Sequence, residues 1–417
     1  MSSVQLPIVV VGAGAAGLMA AIFAAEGGEP VMVLEGKEDG GRKILISGGG
    51  RCNVLPSELA PARFHSESAP HLVRRLLQAW PLTGQRRFFE EELGLALALE
   101  PETGKLFPVS NKARDVRDRL IDAARKRGVQ FRFNQKVRDL VPSEGTWEIT
   151  VDGAPVRARC VILATGGLSV PATGSDGAGL AIARRLGHQV RDTYPALTPL
   201  TADPPVHAAL SGLSLTVTIS AKVAGKKVST TGGMLFTHRG YSGPAVLDIS
   251  HVAVRSKLAG TRAELLVNWT GRKAEEWDQR LQERSARAVS SVVREQLPAR
   301  LADRLLEECG VSLTCQLAQL PRAQRRGLIE RLTAYPLPWT GDEGYKKAEV
   351  TGGGVALEEV HPDTLESRRH PGLYFCGEIL DAFGPIGGYN FAWAWATGRT
   401  AGLGAQKKKA GPKARLS

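Results

Sequence analysis

Gly12, Gly14 and Gly17 stand in the run Gly12-Ala13-Gly14-Ala15-Ala16-Gly17, and the next aliphatic run ends in Glu35. Bare backbone at this spacing is phosphate chemistry. The first glycine makes a tight turn, the second lets a pyrophosphate approach the main chain, and the third lets a helix pack closely on its strand. The uncapped N–H groups and dipole of that helix face an anion. Glu35 is placed to accept hydrogen bonds from ribose hydroxyls. The fingerprint points to a dinucleotide and leaves NAD and FAD open.

Three more glycine-rich segments decide between them. Residues 44–54 read ILISGGGRCNV, preceded by Gly40-Gly41-Arg42-Lys43. Glycines 48–50 offer backbone N–H groups without side-chain bulk, and Arg42, Lys43 and Arg51 offer positive charge to phosphates. A third segment runs Val161–Gly167 and on through Gly174-Ser175-Asp176-Gly177-Ala178-Gly179. The fourth holds Gly377-Glu378-Ile379-Leu380-Asp381, then Gly387-Gly388-Tyr389-Asn390. The expected helix from Phe391 to about Thr400 would turn its N-terminus toward negative charge on a reduced flavin. A cofactor gripped at Gly12–Gly17 and continued over the second segment is long, as FAD is. There is no second GxGxxG, so a nicotinamide donor would visit transiently.

The elements that must hold these loops are legible in the patterning. Ile8–Val11, Val31–Leu34, Val161–Leu163 and Leu373–Cys376 are aliphatic runs expected to be buried parallel strands, with helices at Leu18–Glu26 and Leu180–Leu186. Val129–Val141, Trp147–Val151 and Val156–Arg159 read as a small antiparallel layer. The fold class is therefore α/β with a Rossmann-like domain. After His188 the pattern changes: Pro195–Pro205 is proline-rich, Leu213–Val223 alternates like a strand, and Thr237–Pro244 is a loop with reactive side chains. Helices are expected over Ala274–Gln296, Ala299–Cys309 and Arg322–Thr333. The domains are 1–190, an insert over 191–345 (β-rich 195–270, helical 272–333), 346–404, and a basic, disordered tail over 405–417.

The five cysteines form no Cys-x-x-Cys pair and the histidines have no ligand spacing. A disulfide framework and a structural zinc site are excluded, and a reducing, cytoplasmic setting fits. The apolar run Ile8–Ala25 has no positive side chain before Lys37 and is broken by glycines. It reads as strand-turn-helix rather than as a leader or membrane span. Net charge is +12. Ten Lys/Arg face three acids between Asn111 and Arg138, and Lys407, Lys408, Lys409, Lys413 and Arg415 follow near the C-terminus. Lys112, Arg114, Arg117, Arg125, Lys126 and Arg127 are the expected contacts to a polyanionic partner. The plainer reading is a solvated helix face.

The chain resembles the BaiN/RdsA (YhiN-like) family of FAD-dependent oxidoreductases over Ile8 to about Gly402. The carrying stretches are VVGAGAAG, GRKILISGGGRCN, VILATGG with GSDGAGLAIARRLGH, LFTHRGYSGPAVLDIS, EVTGGGVALEEVHPDTLESR and LYFCGEILDAFGPIGGYNFAWAWATG. Leu365 and Arg368 stand where the family more often has Met and Lys. The resemblance implies a flavoprotein of the two-dinucleotide-binding-domains type, with non-covalent FAD and an inserted domain. The FAD-binding set it implies begins with Gly12, Gly14, Ala15, Ala16, Gly17, Glu35, Gly36, Arg42 and Lys43. It continues with Ser47, Gly49, Gly50, Arg51, Cys52, Asn53, Val137, Ala164, Thr165 and Gly166. It ends with Gly377, Glu378, Asp381, Gly387, Gly388, Tyr389 and Asn390.

The same resemblance implies reduction of a carbon–carbon double bond, with NAD(P)H as the expected donor. Hydride from the flavin goes to the β-carbon of a conjugated carbonyl, and a proton goes to the α-carbon. Cys52, His238 and Tyr389 are the candidate proton donors, although a free cysteine also packs as a small apolar residue. The favoured substrate is a uridine of ribosomal RNA, with ribosomal RNA or its precursor as the expected partner of the basic stretch. Dehydro steroids, aminoacetone-like amines, and a non-catalytic RNA-binding role are the alternatives.

Overall fold

The structure, a computed structural model, describes residues 5–407. In the first unit, up to Tyr194 and again from Glu349, a parallel sheet is made of β1 (Ile8–Val11), β2 (Val31–Leu34), β3 (Gln130–Arg132), β4 (Cys160–Leu163) and β5 (Leu373–Phe375). The strand order is β5-β4-β1-β2-β3. Ile8 lies beside both Cys160 and Val31. Every residue of β1, β2, β4 and β5 is buried, which is why they read as unbroken aliphatic runs rather than as alternating strands.

The chain enters α1 (Ala15–Ala24) directly from β1. The charged helix α2 (Ala113–Lys126) precedes β3, and α3 (Tyr389–Lys407) follows β5. Helix α3 is longer at both ends than the sequence suggested. Its glycines are where another backbone comes close: a Cβ on Gly398 would lie 2.5 Å from the Ala16 carbonyl oxygen, and one on Gly402 2.5 Å from that of Ala20. The helical propensity they cost is offset by close packing against α1. Trp393 and Trp395 are buried, donating to the carbonyls of Gly377 and Val54. Because α3 reaches Lys407, the expected tail shortens; Lys408, Lys409, Lys413 and Arg415 lie outside the described residues.

The expected strand Val129–Val141 is divided. Its first part, β3, joins the parallel sheet, and Val137–Ser143 joins an antiparallel layer with Thr146–Val151 and Val156–Ala158. Asn134, at φ +56°, breaks the run, a left-handed conformation that Asn tolerates. The amides of Asn134 and Gln135 bond back to Lys37 and Glu35.

The second unit, Pro195–Ala348, has its own apolar core. Its antiparallel sheet runs Tyr335–Pro336, Leu266–Asn268, Ser214–Val223, Lys226–Thr237, Gly240–Ser242, Leu200–Thr201, Gly341–Asp342. The helix Pro244–Leu258 packs on the long central hairpin. The expected helix Ala274–Gln296 is two helices, Ala274–Leu281 and Val289–Arg294. Between them the backbone is taken by a neighbouring segment: Leu317 and Ala318 donate to the carbonyls of Arg287 and Ser285, and Ala288 bridges Gln316.

Candidate active site

A cavity of about 510 Å³ opens at the C-terminal ends of β1, β2 and β4, and its lining is drawn from the first unit alone. Ligands bind at this edge of open α/β sheets. Gly12 turns at φ +103°, where a Cβ would come 2.6 Å from the Ala164 carbonyl oxygen, and a Cβ on Gly17 would lie 1.9 Å from that of Gly12. At Gly14 nothing lies within 4 Å of that position. Gly12 and Gly17 thus serve the packing, while Gly14 leaves bare backbone facing the cavity. No side chain caps α1, so its first amides remain for an anion.

Glu35, at the end of β2, accepts from the amides of Ala13 (2.8 Å) and Lys37 (2.9 Å). Burial pushes its carboxyl above the usual range, against those two bonds. Each oxygen keeps a further lone pair for a hydroxyl.

The second bank is a tight turn. Gly48, Gly49 and Gly50 all have positive φ, and so does Cys52 at +61°. Ser47, Gly48 and Gly49 line the cavity, and Gly50 and Arg51 do not. Arg51 instead pairs with Glu100 at 3.0 Å and lies 4.0 Å over the Phe107 ring. Arg42 and Lys43 line the cavity with their charges engaged: Arg42 on Glu38 and Asp39, Lys43 on Glu378 (2.7 Å) and the Ser169 hydroxyl (2.8 Å). Glu378 also accepts from the Thr351 amide at 2.9 Å and from the Ser169 hydroxyl. It clamps the segments that carry it, a role the sequence did not disclose.

Neither Cys52 nor Tyr389, the two expected proton donors of the first unit, lines the cavity. Cys52 is fully buried and not a lining residue. Burial pushes its thiol up to about 12, so it is a neutral, packed thiol at pH 7. Tyr389 is buried outside the lining, with its hydroxyl accepting from Arg63 at 3.1 Å. His238 is exposed on the turn after the strand Lys226–Thr237 of the second unit. Asp381 also stays off the wall. It accepts from the amides of Glu67 and Ser68 and from the hydroxyls of Ser66 and Ser68, while burial raises its carboxyl.

Gly36, Val137, Ala15, Ala16, Ala164, Thr165, Gly166, Gly377, Gly387, Gly388 and Asn390 do line the cavity. Asn390 holds both polar groups of Gly384, accepting and donating at 2.9 Å. Lys105 was missed, because the stretch PETGKLFPV carries no spacing signal. It lines the cavity, its Cε 3.7 Å from where a Gly387 side chain would begin, and it makes no ion pair among the described residues.

These walls fit a dinucleotide. Gly14 and Gly49 leave the Cβ space empty. The Asn53 Oδ1 is buried with no partner, a cost that a ligand donor would remove.

A family model described as the HI0933-like protein Rossmann domain matches residues 6–404. The chain is 33% identical over 400 residues to a ribosomal RNA dihydrouridine synthase of Escherichia coli (strain K12), covering 93% of this chain and 95% of that one. It is 33% identical over 410 residues to a 3-dehydro-bile acid delta(4,6)-reductase of Clostridium scindens, covering 96% and 98%. A ribosomal RNA dihydrouridine synthase of Haemophilus influenzae is 34% identical over 395 residues, covering 93% and 96%. Among solved structures, 3-ketosteroid-delta4-(5alpha)-dehydrogenase from Rhodococcus jostii RHA1 aligns with a TM-score of 0.50 at 15% identity, covering 97% of each chain. That likeness concerns the fold.

Proposed function

This chain belongs to the HI0933-like family of FAD-dependent oxidoreductases, and from that premise we propose that it reduces a uridine of ribosomal RNA to dihydrouridine. The supporting observation is one cavity lined by bare backbone from Gly12, Gly14, Ser47–Gly49 and Gly387–Gly388, together with two relatives named for this reaction that match over almost their whole length. Bound FAD supplies hydride to the β-carbon of a conjugated carbonyl.

The chain's own residues bind and orient. The Gly14 backbone and the N-terminus of α1 take the pyrophosphate, and Glu35 takes ribose hydroxyls. The N-terminal turn of α3, at Gly388 and Asn390, and the Lys105 ammonium favour negative charge at their part of the cavity. Cys52 and Tyr389 are not among the residues that line the cavity, and His238 belongs to the second unit, so none of the three is assigned the proton donation. The sequence has one dinucleotide fingerprint, so a nicotinamide donor would reach the FAD as a visitor and not as a resident.

A second reading keeps the reaction and changes the substrate to a conjugated steroid-like enone. It is supported by the bile-acid reductase, which is as similar as the Escherichia coli relative. Nucleoside mass spectrometry of ribosomal RNA from cells with and without the gene separates the two. A dihydrouridine lost on deletion and restored by the intact chain supports the RNA reading. Unchanged dihydrouridine refutes it and leaves the enone.

A further inference from the structure

The positive charge is not confined to α2. Among the described residues the first unit carries 29 Lys/Arg and 28 Asp/Glu, close to balance, while the second unit carries 21 and 14. Arg117 and Arg127 are tied to Asp39, Asp118 and Glu92. In the helical part of the second unit most arginines are matched as well: Arg280 and Arg287 on Glu295, Arg294 on Asp303, Arg304 and Arg331 on Glu308, Arg325 on Asp278.

The long hairpin differs. From Pro204 to Leu247 the chain contains no Asp or Glu, and this stretch spans both hairpin strands, Ser214–Val223 and Lys226–Thr237. One face of the hairpin carries Val217, Ile219 and Ala221 and packs on the helix Pro244–Leu258, with the Thr230 hydroxyl on the Ala245 carbonyl at 2.8 Å. The other face alternates by strand geometry. Its cross-strand pairs are Thr218 with Thr231, Ser220 with Ser229, and Lys222 with Lys227. On this face Lys222, Lys227, Ser229 and Thr231 are exposed. Lys226 is exposed beside them at the turn, but it stands opposite Val223 and points to the other side. The three lysines make no ion pair among the described residues. Hydroxyls and unpaired ammonium groups with no carboxylate among them suit phosphodiester oxygens, which accept from such donors without regard to base sequence.

We propose that the hydroxyl- and lysine-bearing face of the hairpin Ser214–Thr237 is the docking surface for the phosphate backbone of an RNA substrate. This rests on the RNA reading above and deepens it. Docking is electrostatic, so affinity falls with salt, and each lysine contributes to the slope.

The test uses the full FAD-loaded chain and in-vitro-transcribed large-subunit ribosomal RNA, titrated across a salt series. The variants are K222Q/K226Q/K227Q, the single variant K227Q, and R114Q/K126Q on α2 as control. Circular dichroism and FAD content confirm folding. The expected result is binding by the parent chain, a loss of about tenfold or more in the triple variant, a salt slope lower by about 2, a smaller loss in K227Q, and little change in the control. Parent and triple variant binding alike, with equal slopes, overturns the docking surface and leaves the RNA reading standing. No RNA binding by the parent chain at low salt overturns the RNA reading and the surface with it. Lysine-dependent binding to anionic phosphatidylserine vesicles without binding to RNA overturns the choice of occupant.

Discussion

Gly14 and Gly17 sit three residues apart and make opposite demands on a methyl group. Replacing Gly17 by Ala drives a Cβ into the Gly12 carbonyl, and overpacking of this kind costs about 1–3 kcal/mol. Replacing Gly14 by Ala meets no protein atom and enters the cofactor's space. The expected outcome is that G14A keeps its melting temperature and loses FAD affinity by about tenfold, or ~1.4 kcal/mol, while G17A melts lower. Fluorescence titration and thermal unfolding of the two variants check this. Cys52 gives a second expectation. Its pKa in the folded chain, about 12, lies above that of an unfolded thiol. Its contribution to stability is therefore fully present below pH ~8.5 and is lost as pH rises toward 12. A thiol reagent at pH 8 should modify the half-buried Cys309 and Cys315 first and reach buried Cys52, Cys160 and Cys376 only on unfolding. Rapid labelling of Cys52 in the native chain would contradict its burial. The residues legible in the sequence were those whose role is backbone geometry, such as Gly12, Gly14 and Glu35. Arg51, Asp381 and Lys105 were not, because each is defined by partners far along the chain.

The same distinction holds for elements. Strands buried on both faces leave a short apolar run, and β1, β2, β4 and β5 were visible for that reason. The helix Arg322–Thr333 was read at its observed bounds. The break at Asn134 and the interruption between Leu281 and Val289 are imposed by distant backbone partners, which no local period encodes. Asp381 ties the segment after β5 to the loop at 66–68. Its replacement by Ala leaves the amides of Glu67 and Ser68 without their buried acceptor, and unpaired groups of this kind cost about 1–3 kcal/mol. In the second unit, His207 bonds Tyr241 through Nδ1 at 2.8 Å and Tyr335 through Nε2 at 3.1 Å, and Tyr335 donates to Glu308 at 3.3 Å. Burial raises the pKa of both tyrosines. Tyr335→Phe should lower stability by about 1–2 kcal/mol. Urea unfolding of D381A and Y335F measures both losses, and a midpoint equal to the parent's in either would remove that side chain's structural role.

At the scale of the whole molecule, two apolar cores and a cavity confined to one of them predict unequal responses to ligand. Calorimetry should resolve two transitions, and saturation with FAD should raise the one belonging to the first unit while leaving the other in place. A single transition that shifts as one would contradict separate cores. No helix among the described residues is long and apolar enough to cross a membrane. The first unit is also assembled from two stretches far apart in the chain. The segment after Glu349 supplies an edge strand, the helix against α1, and the cavity wall at Gly377, Gly387, Gly388 and Asn390. A ribosome emits the chain from its N-terminus, so Gly12–Gly17 and the whole of Pro195–Ala348 emerge while that wall is still unmade. Cofactor capture is therefore a late, near-terminal event of biosynthesis, and a nascent chain stalled before Leu373 carries the fingerprint without the means to keep what it touches.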